Sequence, residues 1–314
     1  MITRRQMLHA AAGGALLPFG GAVSRALAED PAPTTPTLGA IRAVTITAMG
    51  LAEVEAAWTR FMSYRLISRG RLSRKTAKSW GAPALAGKPL IILGPESGEP
   101  TYLRFIEQAT PADYDLAGTY GWNMTEITVQ NSDELYERLK DSPFKVRGPP
   151  RTVPTYNYLR AMGAVGPAGE RLALTWITET RPDLAVAKSF VGRCFIAVQA
   201  SPDLPASLEY FRTTFGNVSS PIRKLPSLDL SVVTLNDGAK IEIDQHAPGG
   251  RPRERVPGGL PPGLAIVTFE CSSFDRMRNK FISPAIPNAL EPYRGRRTAT
   301  MIGAAGELIE LVEA

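Results

Sequence analysis

Histidine and cysteine are scarce in this sequence. Its 314 residues include two histidines, His9 and His246, and two cysteines, Cys194 and Cys271. An iron site of two histidines and one carboxylate cannot be built once a leader containing His9 is removed, because only one imidazole remains. Both cysteines fall in predicted strands. They are either buried free thiols, the interpretation we favour, or a disulfide that an oxidising compartment would permit.

Runs of basic residues with interleaved aromatics are also missing. This argues against nucleic acid as a partner and favours a small organic molecule. The chain is 44% apolar and 21% charged, which is typical of a globular protein with enough apolar surface for one large core or two smaller ones.

The first 28 residues have the three parts of a secretory signal peptide. Arg4 and Arg5 precede an apolar pair, an apolar run follows over residues 10–23, and Ala26-Leu27-Ala28 completes the segment. The paired arginines resemble the twin-arginine consensus, and the apolar run is too short for a membrane span. An uncleaved anchor or a chance basic N-terminus are the alternatives.

We therefore expect residues 1–28 to be a twin-arginine signal peptide and residues 29–40 to be a linker. The mature protein is expected in the periplasm, with no stable membrane anchor after cleavage. Removing the leader removes three arginines and no acid, so 33 basic and 30 acidic residues remain. The mature chain is only mildly basic.

Four copies of one pattern follow the leader. Each copy begins with a short β-branched or aromatic run near residue 42, 122, 193 or 264, and closes with a glycine turn and a final strand. Between these lies a one-sided amphipathic helix, so the unit is a strand, a helix and about three strands. The apolar helix faces carry Val54, Trp58, Phe61 and Met62; Leu135, Tyr136 and Leu139; Leu204, Leu208, Phe211 and Phe215; and Phe274, Met277 and Phe281.

This unit resembles the βαβββ module of the vicinal oxygen chelate superfamily, which includes glyoxalase I, bleomycin-resistance proteins and extradiol dioxygenases. The resemblance implies an α+β fold of four tandem modules, paired into two domains that each curl their sheets into a cup around a substrate. As in two-domain extradiol dioxygenases, consecutive modules are expected to pair. The expected domains are 41–184, with modules at 41–110 and 120–180, and 185–314, with modules at 190–248 and 262–314.

In metal-using members of this superfamily, the first strand supplies a His or Gln and the last strand a Glu to a divalent ion. The resemblance places the last-strand positions at Arg104, Thr175, Glu242 and Glu310. It places the first-strand positions at residues that are not histidine, namely Arg42 or Ala43, Met124, Arg193 or Cys194, and Ala265. A divalent metal is therefore possible but not favoured, and the cofactor stays unknown.

The expected catalytic residues are His246, Glu310 and Glu242. His246 follows the last strand of the third module, a location that resembles that of the acid-base histidine of extradiol dioxygenases. A histidine titrates near neutral pH and suits general acid-base catalysis. The alternative is a histidine on a surface loop.

The expected substrate-binding residues are Arg104, Arg193, Trp122 and Trp176. Aromatic side chains facing a cup would suit a planar or ring-bearing ligand, although such residues are more often part of the core. An arginine on a strand facing a core or cup needs an anion. That anion is either a substrate carboxylate or phenolate, or a neighbouring carboxylate such as Glu107 or Glu126.

Two functions of different classes fit this sequence. The leading hypothesis is an exported enzyme that acts on a small aromatic or cyclic organic compound by acid-base, lyase or dioxygenase-like chemistry. The alternative is a non-catalytic protein that binds or sequesters a small molecule, as the bleomycin-resistance branch does. A homodimer is possible in either case.

Overall fold

The strands and helices follow the repeat seen in the sequence. The computed structural model describes residues 33–112, 114, 118–154, 156–246 and 249–314. The predicted signal peptide at residues 1–28 lies outside the described residues. The first strand begins at Leu38, inside the segment expected to be a linker. No helix in these described ranges is long and apolar enough to cross a membrane.

Each module contributes one opening strand, one helical segment and a set of later strands. The first contains β1 (Leu38–Ala48), α1 (Leu51–Phe61), β2 (Tyr64–Arg71), α2 (Arg74–Ser79), a 3₁₀ turn (Pro83–Leu85), β3 (Pro89–Pro95) and β4 (Tyr102–Glu107). The second contains β5 (Gly121–Val129), α3 (Ser132–Leu139), β6 (Lys145–Val146), β7 (Arg151–Val153), β8 (Tyr156–Val165) and β9 (Arg171–Ile177).

The third module contains β10 (Val191–Ala200), α4 (Leu204–Phe215), β11 (Arg223–Lys224), β12 (Leu228–Thr234) and β13 (Lys240–His246). The fourth contains β14 (Leu264–Cys271), a 3₁₀ helix (Phe274–Lys280), β15 (Ile286–Pro287), β16 (Arg297–Ile302) and β17 (Leu308–Glu313). The amphipathic helix expected in the fourth module is thus a 3₁₀ helix, although Phe274 and Met277 are buried as its pattern predicted.

The sheets pair the first module with the fourth and the second with the third. The first sheet has the order β15-β16-β17-β14-β1-β4-β3-β2, and the second has the order β11-β12-β13-β10-β5-β9-β8-β6, with β7 paired to β8. The opening strands join the modules, because β1 pairs antiparallel with β14 and β5 with β10.

This arrangement differs from the expected pairing of consecutive modules. Neither 41–184 nor 185–314 holds a complete sheet, and the boundary expected near residue 185 does not separate the two. All four opening strands are buried along nearly their whole length and are rich in apolar residues on both faces, so the sequence pattern contains no preference for one partner strand over another.

The helices begin at capping residues that their sequences contain. The Asn131 side chain accepts hydrogen bonds from the backbone N–H groups of Asp133 and Glu134, and the Asp203 side chain accepts one from Ala206. Each satisfies a backbone donor at the start of a helix. At the end of α4, Gly216 has φ 71°, and a Cβ there would lie 2.7 Å from the carbonyl oxygen of Pro33, so glycine is required.

The largest apolar core lies on the helix-bearing faces of both sheets. It contains Trp58 from α1, Leu135 from α3 and Phe211 from α4, together with residues from every opening strand. The opposite face of the first sheet packs in a second cluster, and that of the second sheet in a smaller third cluster. Cys194 and Cys271 are free and buried.

Two buried carboxylates connect modules that do not share a sheet. Glu170 and Glu307 occupy equivalent glycine turns, and each accepts a hydrogen bond from its own turn, from Ala168 N and Ala305 N respectively, at 2.8 Å. Trp58 Nε1 of the first module donates to Glu170 Oε1 of the second at 2.9 Å. In the other half, the Gln199 amide donates to Glu307. Burial raises the pKa of each carboxyl to about 7.

Stability should therefore fall as pH rises from 5 to 7. Over this range the folded protein holds protons on Glu170 and Glu307 that the unfolded chain has released, so unfolding becomes easier by on the order of 1 kcal/mol per pH unit for each group. We expect the double variant Glu170→Gln, Glu307→Gln to flatten this slope in denaturant titrations at several pH values. Glu134→Gln, on an exposed side chain, is the control, and a slope equal to that of the parent protein would contradict the assignment.

Candidate functional site

Four equivalent pairs of positions face away from the central core. In each module, one member of the pair is the opening-strand residue that lies five positions before the N-cap of the helical segment. The other member is the residue opposite it on the last strand of the same module. The pairs are Thr45 with Arg104, Thr268 with Glu310, Val198 with Glu242, and Glu126 with Ala173.

This register corrects the expected positions. Arg42 or Ala43, Met124, Arg193 or Cys194, and Ala265 are not the equivalent first-strand residues, because the opening strands run further before their helices than assumed. In the second module Ala173 replaces Thr175, which lies two residues further along and donates to Glu126 Oε2 at 3.3 Å. Glu126, considered in the sequence only as a partner for an arginine, occupies a first-strand position.

In the first sheet these positions form a closed ion pair. Arg104 Nη2 lies 2.8 Å from Glu310 Oε2, and both side chains are almost completely buried, at 1% and 0% exposure. Arg104 Nε donates to Thr45 Oγ1 at 3.0 Å and Nη2 donates to Thr268 Oγ1 at 2.9 Å. Thr268 in turn donates to Glu310 Oε2 at 2.6 Å. All four equivalent positions of this sheet are thus hydrogen-bonded to one another.

Two aromatic residues cover this ion pair. Trp80 Nε1 donates to Glu310 Oε1 at 2.6 Å, and the Tyr293 hydroxyl accepts from Arg104 and donates to Glu310. Burial opposes the charge on Arg104, but Tyr293 and Glu310 outweigh it and raise the pKa of the guanidinium. Trp80 follows α2, which packs with the 3₁₀ turn and Leu260 over this face. The face is therefore filled by the protein's own side chains.

Removing one member of this ion pair should destabilise the fold strongly. Arg104→Leu leaves the Glu310 carboxylate buried without its cation, a change that costs about 3–5 kcal/mol. We expect the double variant Arg104→Leu, Glu310→Leu to recover much of the loss, because no uncompensated charge remains. Denaturant unfolding of both variants measures the two values. A double variant as unstable as the single one would show that the remaining hydrogen bonds, rather than the charge, hold this face together.

In the second sheet the same positions hold two acids and two small apolar residues. Glu126 and Glu242 are half-buried, and Asp244 lies two residues after Glu242 on the same strand. Burial and then repulsion by Glu242 raise the pKa of Glu126 to about 8. The same two causes raise the pKa of Asp244, and burial raises that of Glu242. Near neutral pH, Glu126 and Asp244 therefore keep protons that an ordinary carboxyl has released.

The face around these acids is open. In β8, β9, β12 and β13, buried residues alternate with half-buried ones, whereas β1, β3, β4 and β17 of the first sheet are buried on both faces. Its apolar part is formed by Met124 and Leu159, which are half-buried and pack beside a small buried cluster that contains Ile177, Ile196 and Val198. We call this surface, from Glu126 and Glu242 to Met124 and Leu159, the open face.

A cavity of about 190 Å³ lies at one end of the open face. Asn123, Arg171, Ser201 and His246 are among its lining residues. His246 ends β13 with its side chain 47% exposed, and its Nε2 lies 3.9 Å from Asp244 Oδ2. Residues two apart on a strand share a face, so Glu242, Asp244 and His246 follow one another along this surface.

The other predicted site residues are in different surroundings. Trp122 is buried in the central core, where its indole N–H donates to the Leu308 carbonyl oxygen at 2.8 Å, and Trp176 packs against the same core. Arg193 is held by Glu99, at 3.3 Å, and by Asp237, at 3.0 Å. The two tryptophans therefore belong to the core, and Arg193 is paired with carboxylates of the protein itself.

The predicted catalytic set is divided between the sheets. Glu242 and His246 lie on the second sheet, and Glu310 lies on the first, where it is bound to Arg104. The carboxylates suggested as partners for the arginines have other neighbours. Glu107 lies 3.5 Å from Lys88, and Glu126 accepts a hydrogen bond from Thr175 and is close enough to Glu242 for that charge to raise its pKa. The residue that the sequence interpretation missed is Glu126. Counting back from each helix cap would have found it.

The architecture is that of the vicinal oxygen chelate fold. Glyoxalase I from Zea mays superposes with a TM-score of 0.62 and 14% identity over 87% of this chain and 92% of that chain. A structure described as a "putative dioxygenase" from Bacillus subtilis superposes with a TM-score of 0.63 and 12% identity over 89% and 86%. No family model matches the chain, and no curated protein matches it in sequence.

The residues do not fit the divalent ion that this fold holds in its metal-using members. In the first sheet the Arg104 guanidinium occupies a ligand position and would repel a cation. In the second sheet Val198 and Ala173 offer no ligand atom from their side chains. The described residues contain no group of three or more His, Cys, Asp or Glu side chains placed to hold a metal.

Proposed function

We propose that this protein is an exported enzyme that binds a small aromatic or cyclic organic compound on the open face and moves a proton on it without a metal. The observation that supports this proposal most directly is that Glu126 and Glu242 lie on a face that is only half-buried. The equivalent positions of the first sheet are closed by an ion pair.

The pair supplies both partners that a proton transfer needs. An ionised carboxylate accepts a proton from an acidic position of the bound compound, and the neighbouring protonated carboxyl donates one elsewhere on the same molecule, so the charge of the pair is conserved. A carboxyl with a pKa near the working pH suits this role. The half-buried Met124 and Leu159 offer an apolar surface for the ring, and the buried cluster beneath them lowers the polarity around the acids.

Glu310 has no part in this proposal, because it is buried on the other sheet. His246 lies at the cavity, 3.9 Å from Asp244, and we propose that it lines the binding site rather than contacting the reacting atoms. Glu242 and His246 are four residues apart, which is about 13 Å along a strand. Of the three catalytic residues predicted from the sequence, the proposal keeps Glu242 as a catalytic acid or base. It moves His246 to the lining of the cavity and leaves Glu310 out.

Titration of Glu126 tests the acid pair without a substrate. We expect ¹³C NMR of the side-chain carboxyls to show a midpoint for Glu126 well above the usual range. In Glu242→Gln the midpoint should fall, because the repulsion is removed, yet stay raised, because burial remains. Glu107→Gln, on the first sheet, is the control. A Glu126 midpoint near 4 in the parent protein would contradict the proposed acid-base pair.

A bulky residue placed on the open face tests the binding surface. We expect Met124→Trp, at a half-buried position of this face, to abolish the thermal stabilisation given by ring compounds found in a screen, while Val218→Trp, at a 63% exposed position, leaves it intact. For a compound that is turned over, Glu242→Gln should lower kcat by about 10²-fold or more and keep the thermal shift.

Non-catalytic binding is the second candidate. It is favoured by Val198 and Ala173, which occupy two of the four equivalent positions and have no side-chain group that could donate or accept a proton. A ligand that binds the open face and leaves unchanged would identify this function. Stabilisation that persists in Met124→Trp would place the ligand elsewhere and contradict both candidates.

A further inference from the structure

Arg171 lines the cavity at the end of the open face, and Arg253 lies behind Thr119, another of its lining residues. Each arginine has part of its hydrogen-bonding capacity unused. Arg171 Nη1 donates to Asn123 Oδ1 at 2.7 Å, but its Nε is buried without a partner among the described residues. Arg253 donates through Nε to Thr119 Oγ1 at 2.9 Å and through Nη1 to the Leu264 carbonyl oxygen at 3.0 Å, while its Nη2 is likewise buried and unpaired. Buried guanidinium N–H groups are normally satisfied.

The charges around the cavity are unbalanced. Burial lowers the pKa of Arg253 to about 10, and the positive charge of Arg171 lowers it further. Burial also lowers the pKa of Arg171, as does the charge of Arg147, while Asp244 acts in the opposite direction. The pKa of Asp244 is itself raised, so it does not offset these cations fully at neutral pH. An anion entering the cavity would relieve this repulsion.

We infer that the cavity binds the carboxylate of a small organic anion, with Arg171 as the residue that contacts it. Arg253, behind Thr119, supports this through its charge, and Asn123 orients the Arg171 guanidinium. A volume of about 190 Å³ is below the roughly 300–1,000 Å³ of a complete ligand pocket, so the cavity accepts a headgroup. The remainder of the molecule extends over the open face, and this part of the inference rests on the proposed function.

Paired probes that differ only in charge test the inference. Benzoate and benzamide carry the same ring, and one has a carboxylate where the other has a neutral amide. We expect calorimetric titration of the full mature protein at low salt to show benzoate binding at least 10-fold more tightly than benzamide. This preference should shrink as chloride is added, since the attraction is ionic.

Substitutions at Arg171 assign that preference to one residue. Arg171→Gln should remove the preference for benzoate, and Arg171→Lys should keep part of it, because the charge remains without the planar fork. Arg151→Gln, at an exposed arginine of the same sheet, is the matched control and should bind as the parent protein does. Circular dichroism of each variant checks that the fold is retained.

The outcomes separate this inference from the proposed function. Absence of a preference for benzoate, including no binding of either probe, overturns the inference, as does a preference that survives in Arg171→Gln. Equal binding of both probes that Met124→Trp abolishes supports the proposed function and not the anion site. A preference for benzoate that depends on Arg171 but is unaffected by Met124→Trp supports the anion site and contradicts the proposed use of the open face.

Discussion

The antiparallel pairing of opening strands determines the rest of this structure. Because β1 pairs with β14 and β5 with β10, four similar modules become two sheets, each with one face on a shared core. The same pairing brings equivalent positions of two modules together on the opposite face. Every feature of the candidate site, including which acids can interact, follows from which opening strands are neighbours.

The equivalent positions of the two sheets hold different kinds of side chain. In the first, a cation and an anion meet as Arg104 and Glu310, and α2, Trp80 and Leu260 cover them. In the second, Glu126 meets another acid, and the surrounding strands leave the face half-buried. Like charges cannot both ionise cheaply in such a place, so the second sheet retains a group with protons to exchange. One face is closed by an ion pair, and the other keeps acids with raised pKa values on a half-buried surface.

Much of this architecture could be predicted from the sequence. The strand, helix and glycine-turn repeat identified the modules, and the apolar faces around Trp58 and Phe211 identified what the helices bury. The partner modules could not be predicted, since pairing depends on tertiary packing between opening strands of nearly equal apolar character. The pair of Glu126 with Glu242 was missed for the same reason, because these residues belong to modules that were assigned to different domains.

The first sheet is built from the first and last modules, and the second sheet from the two modules between them. This order has a consequence for folding. The second sheet is assembled from one continuous stretch, residues 121–246, whereas the first joins strands from residues 38–107 to strands from residues 264–313. Closing the first sheet therefore requires contacts more than 200 residues apart, such as Val44 with Val267. Loop closure over such separations is slow compared with local pairing. The sheet that carries the open face can therefore be assembled from contacts within one stretch of chain, whereas the sheet closed by Arg104 and Glu310 needs the first and last modules to meet.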